Sequence, residues 1–596
     1  MTRCSPAPWL APRFVLPLAA LILLSACAPE TQGTAGETAS RDSAGTTNVS
    51  PVLSVTETND DQSPQSRVTV IHGGLIHTME PGQLGASAMA FDGSGLILAV
   101  GEDLDTLAAY PQAERIDLAG RTVIPGMIDS HGHLHGLAES MTRADLMGTV
   151  SLEDVIDRLK QHEAALGEED WLLGRGWDQN DWPGQTFPSR QDLDEHFPDR
   201  PVWLRRIDGH AAWGNSAALA RADRDLSGDW QVEGGMIHRD VDGQPTGIFI
   251  DKAMTFVESV VPPTSDTVMM EAIDLALREL LRLGLTGVHD PGLSREAVSR
   301  FQRKLDQGLL HTRLYAMTDG AGDTLEWLCE RGPIEDPSGR LFMRSTKLYG
   351  DGALGSRGAA LLTDYSDDPG NRGLLFLEAG AMKQQLDKVL ACGFQAGVHA
   401  IGDRANRVVI DALEASMAGH PDNPGRHRVE HAQVLTAKDL DRFADLGIIA
   451  AMQPTHATSD MYWAEDRVGS RRIRFAYAWR SLLDSGASVA FGSDFPVEAV
   501  DPRHGLYAAV SRMDLAGTPE VGWYPEERVT REEALRGFTL DAAYAGFMEE
   551  MVGSLAVGKR ADFVVLDRDY MTIPLEEIPE MKILETWLDG IRLHPR

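Results

Sequence analysis

Thr122-Val-Ile-Pro-Gly-Met-Ile-Asp129-Ser-His131-Gly-His133 is an apolar run that ends in two histidines two residues apart. In extended chain such residues point to the same face. Two neutral imidazoles placed that way can share one metal ion. A His-x-His pair alone is common, so the weight lies in four further runs downstream. Leu341-Phe-Met-Arg-Ser-Thr-Lys347, Phe394-Gln-Ala-Gly-Val-His399, Arg428-Val-Glu-His431 and Ser488-Val-Ala-Phe-Gly-Ser-Asp494 end the same way. Each places a titratable residue just after a strand pattern, where barrel active sites are built. Lysine is scarce, nine in the whole chain, so a lysine closing a strand reads as functional. Its plainer alternative is an ion pair with nearby Asp351.

Between these runs, helical patterns alternate with short apolar strands. Ile273, Leu277, Leu280 and Leu281 form one helical face that stops at Gly284, before Leu285-Thr-Gly-Val-His289. Thr436-Ala-Lys-Asp439 has the form of a capping box and opens a helix that stops at Gly447, before Ile448-Ile-Ala-Ala-Met452. Such alternation predicts an α/β fold, a parallel barrel of the (β/α)8 kind. Short apolar runs broken by glycine occupy 67–123, and a similar run, Gly553 to Asp567, closes the chain. The expectation is one small antiparallel β-domain formed from both ends.

These residues carry a family resemblance. Pro125-Gly-Met-Ile-Asp129-Ser-His131-Gly-His133 resembles the first-strand motif of the metal-dependent amidohydrolase superfamily. Lys347, His399, His431 and Asp494 match its fourth, fifth, sixth and eighth strands in order. The closing Gly553…Ala561-Asp562 segment is similar to its C-terminal β-sandwich. Asp351-Gly-Ala-Leu-Gly-Ser-Arg357, Val398-His399-Ala-Ile-Gly-Asp403 and Asp208-Gly-His210 with Asn215-Ser216 narrow the likeness to the YtcJ-like branch, which includes N-substituted formamide deformylase.

The resemblance implies a divalent-metal hydrolase of one or two ions, with zinc suited to the imidazole-rich set. His131, His133, Lys347 and Asp494 would hold one ion. Lys347, carboxylated on its amine, would bridge to a second held with His399 and His431. Hydroxide generated on the metal would attack the carbonyl of a small amide, formamide or cyclic amide. Asp494 would be general base and then general acid. His210, Asp351, Arg357 and Trp177 are candidate substrate contacts, against loop hydrogen bonds, ion pairs or core packing as the plainer alternatives. His135 and His289 lie near the motifs but are not expected to be ligands. Two other readings stand beside this one. One is ester, carbamate or phosphoester hydrolysis at the same site. The other is a lipid-anchored binding protein without catalysis, which the suitable residues at all six ligand positions weigh against.

With Lys347 on strand four, two strands must precede it after His133. Val202–Arg206, Leu285–His289 and Arg313–Met317 are three candidates. The first therefore falls in an inserted subdomain, residues 137–265. Trp171, Trp177, Trp182, Trp203, Trp213 and Trp230, half of the chain's 12 tryptophans, lie there. A cap shaping the substrate pocket is one reading, and ordinary packing of the insertion is the other.

Of 596 residues, Asp+Glu number 89 against Lys+Arg 55, a formal charge of −34. That balance argues against nucleic acid as a partner. Arg3 and Arg13 precede the apolar run Phe14–Leu24, too short to span a bilayer. Leu24-Ser-Ala-Cys27 then resembles a lipobox. The expected organisation is a signal peptide over 1–26 and a lipidated Cys27 with a Thr/Ser/Gly-rich tether over 27–66. A β-domain over 67–123 and 553–596 would flank a barrel over 124–552. The destination would be the periplasmic face of the outer membrane. Only Cys329 and Cys392 remain in the body, enough for one bridge.

Overall fold

Eight short strands form the centre of the computed structural model, which describes residues 67–595 apart from 165, 168 and 169. The leader, Cys27 and the tether expected through residue 66 lie outside the described residues. The strands are β1 (Met127–Asp129), β2 (Leu285–Leu293), β3 (Arg313–Asp319), β4 (Leu341–Tyr349), β5 (Gln395–Ala400), β6 (Arg428–His431), β7 (Ile449–Met452) and β8 (Val489–Phe491). Each pairs in parallel with the next. At the seam, Ser130 N–H donates to the Phe491 carbonyl at 3.0 Å. Ser493 N–H donates to the Asp129 carboxylate at 3.1 Å. This is the TIM-like barrel that the alternation predicts, and Lys347 lies in its fourth strand. The strands are covered on both faces, so they read as continuous apolar runs; every residue of β5 is buried.

The helix face Ile273, Leu277, Leu280, Leu281 is the buried side of Asp266–Arg282, which enters β2 through Gly284 at φ 80°. The helix Ala437–Leu446 ends on Gly447 in the left-handed conformation at φ 63°. Its expected capping box does not form. The Asp439 carboxylate takes the Thr436 hydroxyl at 2.7 Å and Arg407 at 2.6 and 2.9 Å instead.

Both chain ends build one two-sheet domain. Phe563–Leu566 pairs antiparallel with Thr122–Pro125. Ile71, Met89, Phe91, Ile97, Val123, Phe563, Val565 and Trp587 share its core. Its sheets are mixed rather than antiparallel, because Val68–His72 runs parallel to Glu114–Asp117, and Leu75–Glu80 to Thr122–Pro125. The barrel begins at Met127, not at residue 124, since Thr122–Pro125 belongs to the end domain. The chain changes sheets at Gly126, where a Cβ would lie 2.2 Å from Thr286 Oγ1. Cys329 and Cys392 are joined, Cα atoms 5.4 Å apart, tying the helix after β3 to the helix Ala379–Ala391 after β4.

The segment between β1 and β2 builds a six-stranded sheet of its own, from Ala144–Asp145 to Pro245–Asp251 and including Val202–Arg206. It starts at Ala144 rather than 137, because Leu134–Ser140 is a helix whose Leu134, Leu137 and Ala138 join the barrel core. The tryptophans pack this insertion. Trp177, Trp182 and Trp213 sit with ring centroids 6.0–6.5 Å apart. Each indole N–H donates to a backbone carbonyl, of Leu204, Thr149 and Ser189 respectively. Trp177 is fully buried; it is a core residue, not the substrate contact the sequence offered.

Candidate metal centre

Six strand-end side chains meet at one mouth of the barrel. His131 Nε2 lies 3.2 Å from Lys347 Nζ and 3.5 Å from Asp494 Oδ1. His133 Nε2 lies 3.0 Å from the same Asp494 oxygen. Donor atoms of His131, His431 and Asp494 all fall within 4.8 Å of one another. The His431 ring is 4.8 Å from that of His131 and 4.6 Å from that of His399, centroid to centroid.

Two of these positions break the strand pattern. Glu430 and His431 are consecutive, and alternation would send them to opposite faces. Glu430 points inward, yet His431 reaches the centre too. Its backbone is left-handed at φ 73°, and Asp494 is likewise left-handed at φ 62°. Such strained positions in non-glycine residues gather at functional sites.

The electrostatics suit ligation. Burial, aided by the Lys347 cation, pushes the His131 imidazole down to about 4. Burial, followed by the crowding of neighbouring imidazoles and Lys347, holds His399 and His431 well below the usual histidine range. All three rings are therefore neutral at pH 7, as metal binding requires. Burial also lowers the Lys347 amine to about 8, against the pull of Glu430 and Asp494. Burial alone would raise the Asp494 carboxyl, but the His133 hydrogen bond and the surrounding imidazoles hold it well below the carboxylate range. His399 Nε2 is buried with no hydrogen-bond partner among the described residues, and Asp494 Oδ1, equally buried, faces only the His131 and His133 imidazoles. Buried polar atoms are normally satisfied; a cation between these donors would satisfy both, so the residues present fit a metal.

A supporting layer was not foreseen from the sequence. His131 Nδ1–H donates to Glu430, which leaves Nε2 to face the centre. His431 Nδ1–H donates to Gln453 Oε1 at 2.8 Å, with the same consequence. Asp129 accepts the His131 and Ser493 backbone N–H groups and the Ser493 hydroxyl at 2.7–3.1 Å, and so joins the loops that carry His131 and Asp494. Burial raises its carboxyl to about 7. Period-two reading of Arg428-Val-Glu would have turned Arg428 and Glu430 to one face; nothing local names their partners.

A cavity of about 660 Å³ opens above the centre, lined by His133, Lys347, His399, His431 and Asp494 below and by residues of the inserted sheet above. Of the proposed substrate contacts, His210 lines it, its Nδ1–H donating to Asp251 at 2.7 Å and its ring 5.7 Å from that of His399. Asp351 does not. It is fully buried and accepts the backbone N–H groups of Ala360, Ile401 and Gly402 at 2.8–2.9 Å, so it clamps two loops. Arg357 is also outside the cavity and pairs with Asp367 at 2.9 Å. His135 lies on the cavity wall against Arg300, and His289 is buried on Arg428 at 2.8 Å, so neither joins the donor set.

Known proteins match this chain over most of its length. A family model described as "Amidohydrolase family" matches residues 114–594. The putative amidohydrolase YtcJ of Bacillus subtilis is 34% identical over 530 residues, spanning 87% of this chain and 98% of its own. The N-substituted formamide deformylase of Arthrobacter pascens is 29% identical over 560 residues, spanning 89% and 99%. Among solved structures, an uncharacterized metal-dependent hydrolase of Pyrococcus horikoshii superposes with a TM-score of 0.70 at 27% identity, covering 85% of this chain and 99% of its own.

Proposed function

This chain belongs to the amidohydrolase family and is a metal-dependent hydrolase, and from that premise we propose that it cleaves a C–N bond of a small amide, formamide or cyclic amide. The observation that carries the reading is the convergence of six strand-end residues on one space with the buried His399 Nε2 left unpaired among the described residues. The reaction for which the Arthrobacter relative is named supports the choice of bond.

His131, His133, Lys347 and Asp494 would hold one divalent ion, zinc by ligand type, and Lys347, His399 and His431 a second. When bound, the metal supplies Lewis acidity, polarising the carbonyl and acidifying water at neutral pH. The chain's own groups do the rest. Glu430 and Gln453 fix the tautomers of His131 and His431. Asp494, an anion at pH 7, accepts a proton from the attacking water and returns it to the leaving nitrogen. The C–N bond breaks, a C–O bond forms, and a carboxylate and an amine leave. Burial lowers the Lys347 amine to about 8, so a larger share of it is unprotonated at neutral pH than in an exposed lysine, and that is the form carboxylation by CO₂ would need.

Elemental analysis and a paired amide and ester panel test this. The expected result is one or two equivalents of divalent metal. Amide hydrolysis should be lost on chelation and restored by zinc. A metal-free protein that still turned over amides, or one that cleaved esters alone, would overturn it.

We also propose export and lipidation at Cys27, followed by residence at the periplasmic face of the outer membrane. The Leu24-Ser-Ala-Cys27 stretch supports this, as does the Cys329–Cys392 bond, since disulfides persist in oxidising compartments. Cells fed labelled palmitate should label the wild type and not Cys27→Ser; equal labelling of the two would refute the anchor.

A further inference from the structure

One wall of the cavity carries a positive charge that no acid pairs with among the described residues. Arg175 lies in the inserted strand Leu172–Trp177, beside a register shift at which Gly176 takes φ 106°. Irregularities of this kind re-aim a side chain, and Arg175 lines the cavity. Its direct neighbour on the adjacent strand is Arg205, and Arg143 lines the same wall. Like charges set side by side on a sheet are unfavourable.

Two of the three are neutralised. Arg205 is gripped by Glu258 at 2.7 and 3.1 Å, and Arg143 by Glu139. Arg175 has no carboxylate partner among the described residues. Its guanidinium donates only to the carbonyls of Pro496 at 2.7 Å and Ile207 at 3.0 Å, both uncharged. Asp208, whose charge reaches it, is already bound to Arg206 at 2.6 Å, and Asp494 belongs to the metal set. Burial and Arg205 lower Arg175 to about 10, so it stays a cation at neutral pH. A largely buried cation normally has an anionic partner. Pro496, whose carbonyl anchors this one, follows Asp494 by two residues in the chain.

We propose that Arg175 is the recognition group for a carboxylate on the substrate, so that the molecule hydrolysed is an amide bearing a carboxylate a few bonds from the C–N bond. This deepens the proposed function and rests on it. The planar guanidinium keeps donors free beyond the two bonds it makes, in the fork geometry a carboxylate matches. The insertion would then select the substrate through its arginines and not through its tryptophans.

The test separates binding from turnover. N-formylglycine and N-acetylglycine, each paired with its uncharged C-terminal amide, are titrated calorimetrically into the metal-loaded full protein, and their hydrolysis is measured separately. The wild type should bind the carboxylate members roughly 10- to 100-fold tighter, the range of a charge-assisted hydrogen bond. In Arg175→Met that ratio should fall to about one, and Arg175→Lys, which keeps the charge and loses the fork, should restore it in part. If Arg175→Met fails to fold, a several-fold reduced ratio in Arg175→Lys carries the test. Equal binding of both members by the wild type overturns the proposal. So does a preference that survives undiminished in the variants, because the carboxylate would then sit on the metal. A preference that depends on Arg175 without hydrolysis of any amide supports the subsite and refutes the C–N reading; amide hydrolysis without the preference does the reverse.

Discussion

Asp494→Asn should reduce amide turnover by about 10³-fold or more while the fold is retained. Asparagine nearly matches aspartate in shape, so the left-handed backbone at φ 62° and the bond from Asp494 N–H to the His131 carbonyl, 2.6 Å, can persist. What is lost is the charge and the capacity to take up a proton. Oδ1 faces both His131 and His133, at 3.5 and 3.0 Å, and Oδ2 lies 3.8 Å from His456 Nε2. A neutral amide cannot serve as a strong anionic ligand there. Proton transfer by a positioned side chain contributes about 10²–10⁴-fold, and weakened metal binding adds to that loss. Steady-state kinetics at saturating metal, with a thermal melt as the folding control, checks the outcome. Turnover within tenfold of wild type in a folded variant would remove Asp494 from the reaction.

Glu430→Gln should lower stability by about 3–5 kcal/mol and weaken metal affinity by roughly 10- to 100-fold. Glu430 is fully buried and bonds His131 Nδ1. It also pairs with Arg428 at 2.8 and 2.9 Å. Arg428, itself fully buried, spends its other donors on the Ser130 carbonyl at 2.6 Å and His289 at 2.8 Å. Burial alone would raise the Glu430 carboxyl; Arg428 and His131 hold it far below the usual range instead. Glutamine leaves Arg428 as an uncompensated buried cation, and that is what destabilises the fold. The second effect is on His131. Its Nδ1–H loses an anionic acceptor, so the ring is held less firmly with Nε2 toward the metal. Denaturant melts read the first effect, and competition with a chromophoric chelator reads the second. A change under 1 kcal/mol with unaltered affinity would show that the carboxylate does neither task. An Arg428→Met/Glu430→Met double variant should recover part of the stability but not the metal affinity, since it removes both buried charges and still leaves His131 unsupported.

These two residues mark the limit of what the sequence discloses. Asp494 closes a local strand pattern and could be picked out from its own segment. Glu430 lies 299 residues from the histidine it supports, and no short-range periodicity encodes that meeting. Asp351 fails in the opposite way. It sits in a stretch resembling a family motif, yet its carboxylate is consumed by three backbone N–H groups of loops that the chain brings together only on folding. Trp177 shows how composition misleads: a tryptophan-rich insertion beside a pocket invites a role in binding, but large aromatic faces are best used in the insertion's own core.

By itself the sequence determined the architecture and the inventory of the centre. Apolar runs of strand length, helix faces that stop at glycine and titratable residues at strand ends are local properties, each a consequence of backbone geometry within a few residues. A barrel gathers the C-terminal ends of its strands at one mouth, so six such residues spread from His131 to Asp494 must approach one another once it closes. Tertiary structure alone decided the rest: which buried acid holds His131, the left-handed turns that bring His431 and Asp494 to the centre, and the pairing of Arg143 and Arg205 that leaves Arg175 without an acid partner among the described residues. These depend on distances between segments far apart in the chain. There, packing and the high cost of an unpaired buried charge, not local propensity, set the outcome.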